Sequence, residues 1–253
     1  MTFKILVEKS GPVTTIIINR PEVRNALDRE ATQLLADAFH EFEADSNAKV
    51  AVLWGAGGAF CAGADLKELA GGVAYEPWAG SADGPLRRPL SKPVIAAVSG
   101  YACAGGLGVA LWCDLRVAEE DATFAVLSRR WGVPMSDGTT VRLPRLIGMS
   151  NALDMLLTAR KVDAVKAEQM GLVNRVVPNG QARACAEELA LTLAAFPQVA
   201  MLSDRQSAYE QEALALSAAI DREAELSIQA RLKEAEQGAR RFASGAGRHG
   251  AVS

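Results

Sequence analysis

A chain of 253 residues is long enough for one large domain, or a domain with a helical appendage. Its composition, 49% hydrophobic and 23% charged, is that of a globular protein. A formal net charge of −3 with no basic stripe excludes a general nucleic-acid surface. Met1-Thr2-Phe3-Lys4-Ile5 lacks the apolar core of a signal peptide. No apolar run approaches the ~20 residues that span a bilayer. A cytoplasmic protein without membrane contact is therefore expected. The cysteines Cys61, Cys103, Cys113 and Cys185 show neither C-x-x-C spacing nor His neighbours, which suits reduced thiols and offers no metal site.

Ile5 to Glu8 and Val13 to Asn19 predict two strands joined by a Gly11-Pro12 turn, the second rich in β-branched residues. Asn25 to Asp28 leads into an amphipathic helix, with Asp28 as N-cap and Leu34, Leu35, Ala38, Phe39 and Phe42 as its apolar stripe. Val50 to Trp54 predicts a buried strand. The Gly- and Pro-rich stretch from Gly71 to Pro85 reads as a mobile loop over a site. Val94 to Val98 predicts another buried strand, Gly105 to Leu111 a helix start and Leu115 to Ala118 a further strand. Strands alternating with helices predict an α/β core. After about Asn151 the pattern turns mostly helical, with helices expected over Gly180 to Ala195, Val199 to Tyr209 and Glu212 to Ala235, and Pro197 as a breaker. The length of the last one suggests packing on another subunit. The tail from Gly245 to Ser253 is expected to be disordered. The expected division is a core over 1–195 and a helical region over 196–253.

Two glycine-containing segments carry the chemistry. Phe60-Cys61-Ala62-Gly63-Ala64-Asp65-Leu66-Lys67 offers a backbone N–H at Ala64, and Gly100-Tyr101-Ala102-Cys103-Ala104-Gly105-Gly106-Leu107-Gly108 offers one at Gly105. Two preorganised N–H donors stabilise a developing oxyanion, and each is worth ~3 kcal/mol. Glycines permit the close approach, and a helix starting at Gly105 adds its dipole. Either segment alone also reads as a tight turn between strand and helix. A dinucleotide-binding loop fits poorly, because the glycine spacing is wrong and no acidic residue ends a matching next strand.

Several ordered motifs accompany these segments: Asn19-Arg20-Pro21-Glu22-Val23-Arg24-Asn25-Ala26-Leu27, Lys92-Pro93-Val94-Ile95-Ala96-Ala97-Val98-Ser99-Gly100-Tyr101, Cys113-Asp114-Leu115-Arg116-Val117-Ala118, and Leu143-Pro144-Arg145-Leu146-Ile147-Gly148. Ala164-Val165-Lys166-Ala167-Glu168-Gln169-Met170-Gly171-Leu172-Val173-Asn174 follows. Over nearly its whole length the chain resembles the crotonase (enoyl-CoA hydratase/isomerase) superfamily. That resemblance implies an α/β fold with a ββα superhelical core and a C-terminal α-helical trimerisation region. It also implies a homotrimer or a hexamer built as a dimer of trimers. The substrate would be an acyl-CoA thioester, its carbonyl held by the N–H groups of Ala64 and Gly105. Coenzyme A would arrive as part of the substrate, with no separate cofactor. Arg24, Ala26, Ala62, Asp65 and Leu66 match the family's CoA-binding strip, and the Arg24 guanidinium suits a phosphate.

The chain departs from that pattern at the proton carriers. The two glutamates of the family's hydratases match Gly108 and Ser128 here. Glycine moves no proton, and an unactivated serine hydroxyl is a poor base. Asp137 remains, in the loop where several family members present a catalytic group, with Ser136 competing for the same slot. A buried Asp137 would have a raised pKa and serve as base. It also reads as a turn or helix cap before the next helix. Arg129 and Arg130 are candidates to pair with Asp137 or to bind an acyl carboxylate. Tyr101, Trp131 and Trp78 are candidate acyl-pocket residues, the first two reading equally as core packing and Trp78 as an exposed loop aromatic. The expected function is isomerase- or hydrolase-type chemistry on a thioester enolate, with a catalytically silent CoA-ester-binding protein as the alternative. A Ser or Cys hydrolase is disfavoured, because His40 and His249 lie outside the motif regions.

Overall fold

The computed structural model describes residues 3–72, 78, 84 and 86–245. β1 (Ile5–Ser10) and β2 (Val13–Ile18) form an antiparallel hairpin, paired from Ile5 with Ile18 to Ser10 with Val13. Every β2 residue is buried, the two-faced burial that its β-branched run serves. α1 (Arg29–Ala44) follows, and Asp28 caps it by accepting from Ala31 N at 2.7 Å. Its buried face is Ala31, Leu35, Ala38, Phe39 and Phe42. Leu34 is exposed instead, one residue round the helix from Leu35.

β3 (Val50–Gly55), α2 (Leu66–Ala70), β4 (Val94–Val98), β5 (Tyr101–Cys103), α3 (Gly105–Trp112), β6 (Leu115–Glu119) and β7 (Thr123–Ala125) come next. Then follow α4 (Thr139–Ile147), α5 (Met149–Thr158), β8 (Val162–Asp163), α6 (Ala164–Gln169), β9 (Arg175–Val177) and α7 (Ala182–Ala195). The main sheet has the order β1-β2-β3-β4-β6-β9 and is parallel after its hairpin. A second sheet, β5-β7-β8, pairs β5 parallel to β7 and β7 antiparallel to β8. α3 is buried from Gly106 to Trp112 and carries no charged side chain. A helix with an apolar surface all round belongs in a core.

Two compact units divide the chain, residues 1–191 and 192–253, so the boundary falls inside α7 rather than after it. In the second unit, α8 (Gln198–Glu210) is followed by α9 (Leu216–Ala230) and α10 (Glu236–Ala243). The helix expected over Glu212 to Ala235 forms with a later start, at Leu216, and runs on past Ala235. Leu214 and Ala215 are extended, which delays the start of α9, and a π turn over Arg231–Ala235 joins α9 to α10. Leu216, Ile220, Leu232 and Phe242 are exposed. The loop expected over Gly71 to Pro85 lies outside the described residues except at Gly71, Gly72, Trp78 and Gly84, and the expected tail lies outside them beyond Gly245.

Candidate active site

The segment 60–65 is held along both edges. On one, Phe60 N donates to Ser99 O (2.8 Å), Cys61 N to Tyr101 O (2.9 Å) and Cys103 N to Cys61 O (3.0 Å). On the other, Ala62 N donates to Arg24 O (3.0 Å), Leu27 N to Gly63 O (2.8 Å) and Asp65 N to Leu27 O (2.9 Å). This parallel bridge of Leu27 with Ala64 uses the polar groups of Gly63 and Asp65. The Ala64 N–H takes no part in that bridge, and Ala64 lines a cavity of about 380 Å³.

The Asn-Arg-Pro motif supports this bridge. Arg24 and Asn25 both have positive φ, 53° and 57°. Asn25 is fully buried, accepts from Arg20 N at 2.7 Å and donates to Ala56 O at 2.8 Å and Ala59 O at 2.6 Å. Asn tolerates the left-handed region because its amide bonds locally. The Arg20 guanidinium donates to Ala26 O and pairs with Asp28 (2.9 Å) and Asp65 (3.1 Å). Asp65 also caps α2 through Lys67 N at 3.1 Å. The Ala26 carbonyl and the Asp65 carboxylate therefore serve the scaffold, and neither residue lines the cavity. Arg24, Ala62 and Leu66 do.

Gly105 approaches from the other side. Ala104 holds φ 50° and ψ −124°, which costs a non-glycine residue ~1–3 kcal/mol. The first α3 donors, Leu107 N and Gly108 N, both go to Ala104 O, so the Gly105 N–H stands ahead of the helix ladder. The two turns abut: a Cβ on Gly63 would lie 2.7 Å from Gly105 N. Ala64 and Gly105 both line the same cavity. Behind Gly105 stands Trp78, whose ring would lie 2.6 Å from a Cβ at that position. Trp78 is buried, not the exposed loop aromatic expected, because its ring closes the space that glycine leaves open.

Asp137 is 2% exposed and lines the same cavity. Its Oδ1 accepts from Thr139 N at 2.9 Å, so it makes the turn that leads into α4, whose N-cap is Gly138. Its carboxyl lies directly over Gly108, where any Cβ would overlap it. Burial raises its pKa above the ordinary carboxylate value, while the Thr139 bonds and the Arg142 cation pull it down. Arg129 and Arg130 are exposed and make no pair with Asp137. The cation beside it is Arg142, which donates to Asp137 O at 3.0 Å. Ser136 also lines the cavity. Ser128 is buried there, with its hydroxyl donating to Met135 Sδ at 3.3 Å. Burial pushes the Cys61 thiol up to about 12 and that of Cys103 to about 11, so neither is a thiolate near neutral pH.

At the cavity mouth, Tyr101 is exposed beneath two cations, Arg24 at 5.6 Å and Lys161 at 5.7 Å from its ring centroid. Tyr101 also lines the cavity, with both cations held against its ring. Neither Lys161 nor Arg142 stands out in the sequence, since what places each is contacts distant along the chain. Trp131 is exposed at the rim.

The model of the enoyl-CoA hydratase/isomerase family matches residues 8–245. This chain belongs to that family. Among its relatives is the enoyl-CoA hydratase EchA19 of Mycobacterium tuberculosis, 37% identical over 246 residues, covering 94% of this chain and 92% of the relative. The short-chain-enoyl-CoA hydratase of Clostridium acetobutylicum is 35% identical, with 80% of each chain covered. The crystal structure of the enoyl-CoA hydratase EchA1 of Mycobacterium marinum superposes with a TM-score of 0.89 at 34% identity, covering 95% of this chain and 96% of that one. The crotonase fold and the helical C-terminal region implied by the sequence resemblance are thereby established. Within the family this chain is an acyl-CoA-processing enzyme.

Proposed function

We propose that the enzyme works through a thioester enolate, with the Ala64 and Gly105 N–H groups holding the carbonyl oxygen and Asp137 as its single proton carrier. The observation that carries this reading is the Asp137 carboxyl, buried in the cavity over Gly108. Asp137 is the one carboxylate lining the cavity among the described residues. The family's hydratase glutamates match Gly108 and Ser128, so hydration by two carboxylates has no partner for its second role. One carboxylate suffices for a proton shuttle. Asp137 takes an α-proton from a β,γ-enoyl thioester, the electron pair moves onto the oxygen held by the two N–H groups, and the same proton returns at the γ-carbon. The α,β-enoyl product has the same atoms. Hydrolytic retro-Claisen cleavage of a β-keto thioester draws on the same enolate: water adds to the β-carbonyl as Asp137 takes its proton, the C–C bond breaks to a carboxylic acid and the thioester enolate, and Asp137 returns the proton to the α-carbon.

A panel of enoyl- and β-ketoacyl-CoA esters tests the reading. Isomerisation or β-keto cleavage is expected to outrun hydration of but-2-enoyl-CoA. Hydration as the fastest reaction would sink the single-carboxylate mechanism. Saturable binding with no turnover would leave a CoA-ester-binding protein.

Arg24 and Lys161 hold the phosphates of the substrate at the mouth in this reading. Arg24→Met and Lys161→Met should each raise KM by about tenfold, the worth of a charge-assisted hydrogen bond, with kcat nearly unchanged. An unchanged KM at low salt in the double variant would remove both residues from the CoA site. The exposed apolar side chains of the second unit support a homotrimer or a dimer of trimers, which sedimentation measures directly and a monomer would refute.

A further inference from the structure

Two segments distant in sequence meet α3 at its N-terminal turn. Asp137 covers Gly108, and the Trp78 ring closes on Gly105. α3 presents only Gly105, Gly106, Leu107 and Gly108 there, so it has no polar side chain with which to hold either one. Arg142, one turn into α4, reaches both. Its Nη1 donates to Asp137 O at 3.0 Å and its Nη2 to Leu86 O at 2.5 Å. Leu86 N in turn donates to Trp78 O at 2.9 Å. Gly138 makes room for the guanidinium: it sits at φ 87°, and a Cβ there would fall on Nη1.

We propose that Arg142 is a positioning residue, a latch that sets the Asp137 carboxyl and the Trp78 ring against α3 together. The inference rests on the proposed roles of Asp137 and Gly105, but the physical coupling does not. A planar guanidinium offers donors in a fixed fork, so one side chain serves two carbonyls at once. A lysine ammonium keeps the charge without that fork. The latch therefore has two separable effects, a bridge between segments and a cation near the carboxyl.

The test uses the full chain and Arg142→Met beside Arg142→Lys. In the Met variant, hydrogen exchange at the Leu86 and Thr139 amides should quicken by about tenfold or more, what loss of a charge-assisted hydrogen bond allows. Val52 in β3 should keep its protection, showing that the fold stands. On the best substrate, kcat should fall about tenfold or more while thioester affinity stays within about threefold. The acidic limb of the pH profile should move to higher pH, because the cation that favours ionised Asp137 is gone. Arg142→Lys should leave that limb in place and still lower kcat. Wild-type protection at Leu86 and Thr139 in the Met variant would overturn the latch, as would uniform loosening that includes Val52. Absence of turnover in the wild-type enzyme would strike the site reading instead, and the exchange experiment would still decide the latch.

Discussion

Replacing Asp137 with Asn should lower kcat on the best thioester by about 10²–10⁴-fold, the usual worth of a positioned proton carrier. Asparagine keeps an oxygen that can accept from Thr139 N, so the α4 start is preserved while the proton function is lost. Retention of full activity would refute the role. The same substitution should stabilise the fold at neutral pH. Burial raises the folded-state pKa of Asp137 above its unfolded value, near 3.9 for an ordinary aspartate. Between those two values the folded state binds more protons than the unfolded one. Stability then falls as pH rises through that window, and the deficit persists above it. Thermal melts should show Asp137→Asn above wild type at pH 7.5, with the gap closing near pH 4. A variant that loses activity and gains stability identifies a site held against its own folding preference. In the wild type, the acidic limb of kcat/KM should lie above the ordinary carboxylate range for the same reason.

Gly63→Ala should damage the oxyanion site from its other side. Gly63 sits at φ 98°, and an added Cβ would lie 2.7 Å from Gly105 N and 3.1 Å from both the Ala104 Cβ and Cys103 O. None of these is the end of a flexible side chain, so the two turns must part. Losing one donor from an oxyanion hole costs about 10²–10³ in kcat. Overpacking and positive-φ strain together should remove ~2–4 kcal/mol of stability. Gly11→Ala is the control: Gly11 also has positive φ, 55°, but nothing lies within 4 Å of its added Cβ. It should cost only ~1 kcal/mol and spare activity. Urea unfolding and kcat measured on both variants separate strain from loss of the hole. Equal activity losses in the two would argue that Gly63 acts through stability alone.

The core was legible where burial leaves a local trace. β3 and β4 are nearly continuous apolar runs because both faces of a parallel sheet are covered, β2 shows its burial in its β-branched residues, and Asp28 announces α1 by capping chemistry alone. That Ala64 and Gly105 line one cavity was legible because glycine spacing and the resemblance pointed to the same two turns. What escaped was set by contacts distant in sequence. Nothing local says that Arg20 occupies Asp65 and the Ala26 carbonyl, or that Trp78 turns inward on Gly105. The basic pair Arg129-Arg130 drew attention by adjacency, yet the helical offset from Gly138 to Arg142 places the working cation. The π turn over Arg231–Ala235 interrupts a run of good helix formers, so no residue there signals it.

Gly108 and Asp137 compete for one volume, since a side chain on the helix displaces the carboxyl from the loop. The two positions are therefore epistatic. Placing a glutamate at Gly108 would expel Asp137 before adding anything, and removing Asp137 first would leave the cavity with neither. A carboxylate cannot change its point of attachment between α3 and the α4 loop by one favourable substitution at a time. Chains with aspartate at this loop position and this loop conformation should carry glycine on the facing helix, so the pair forms a two-letter signature that other sequences of the family can be checked against.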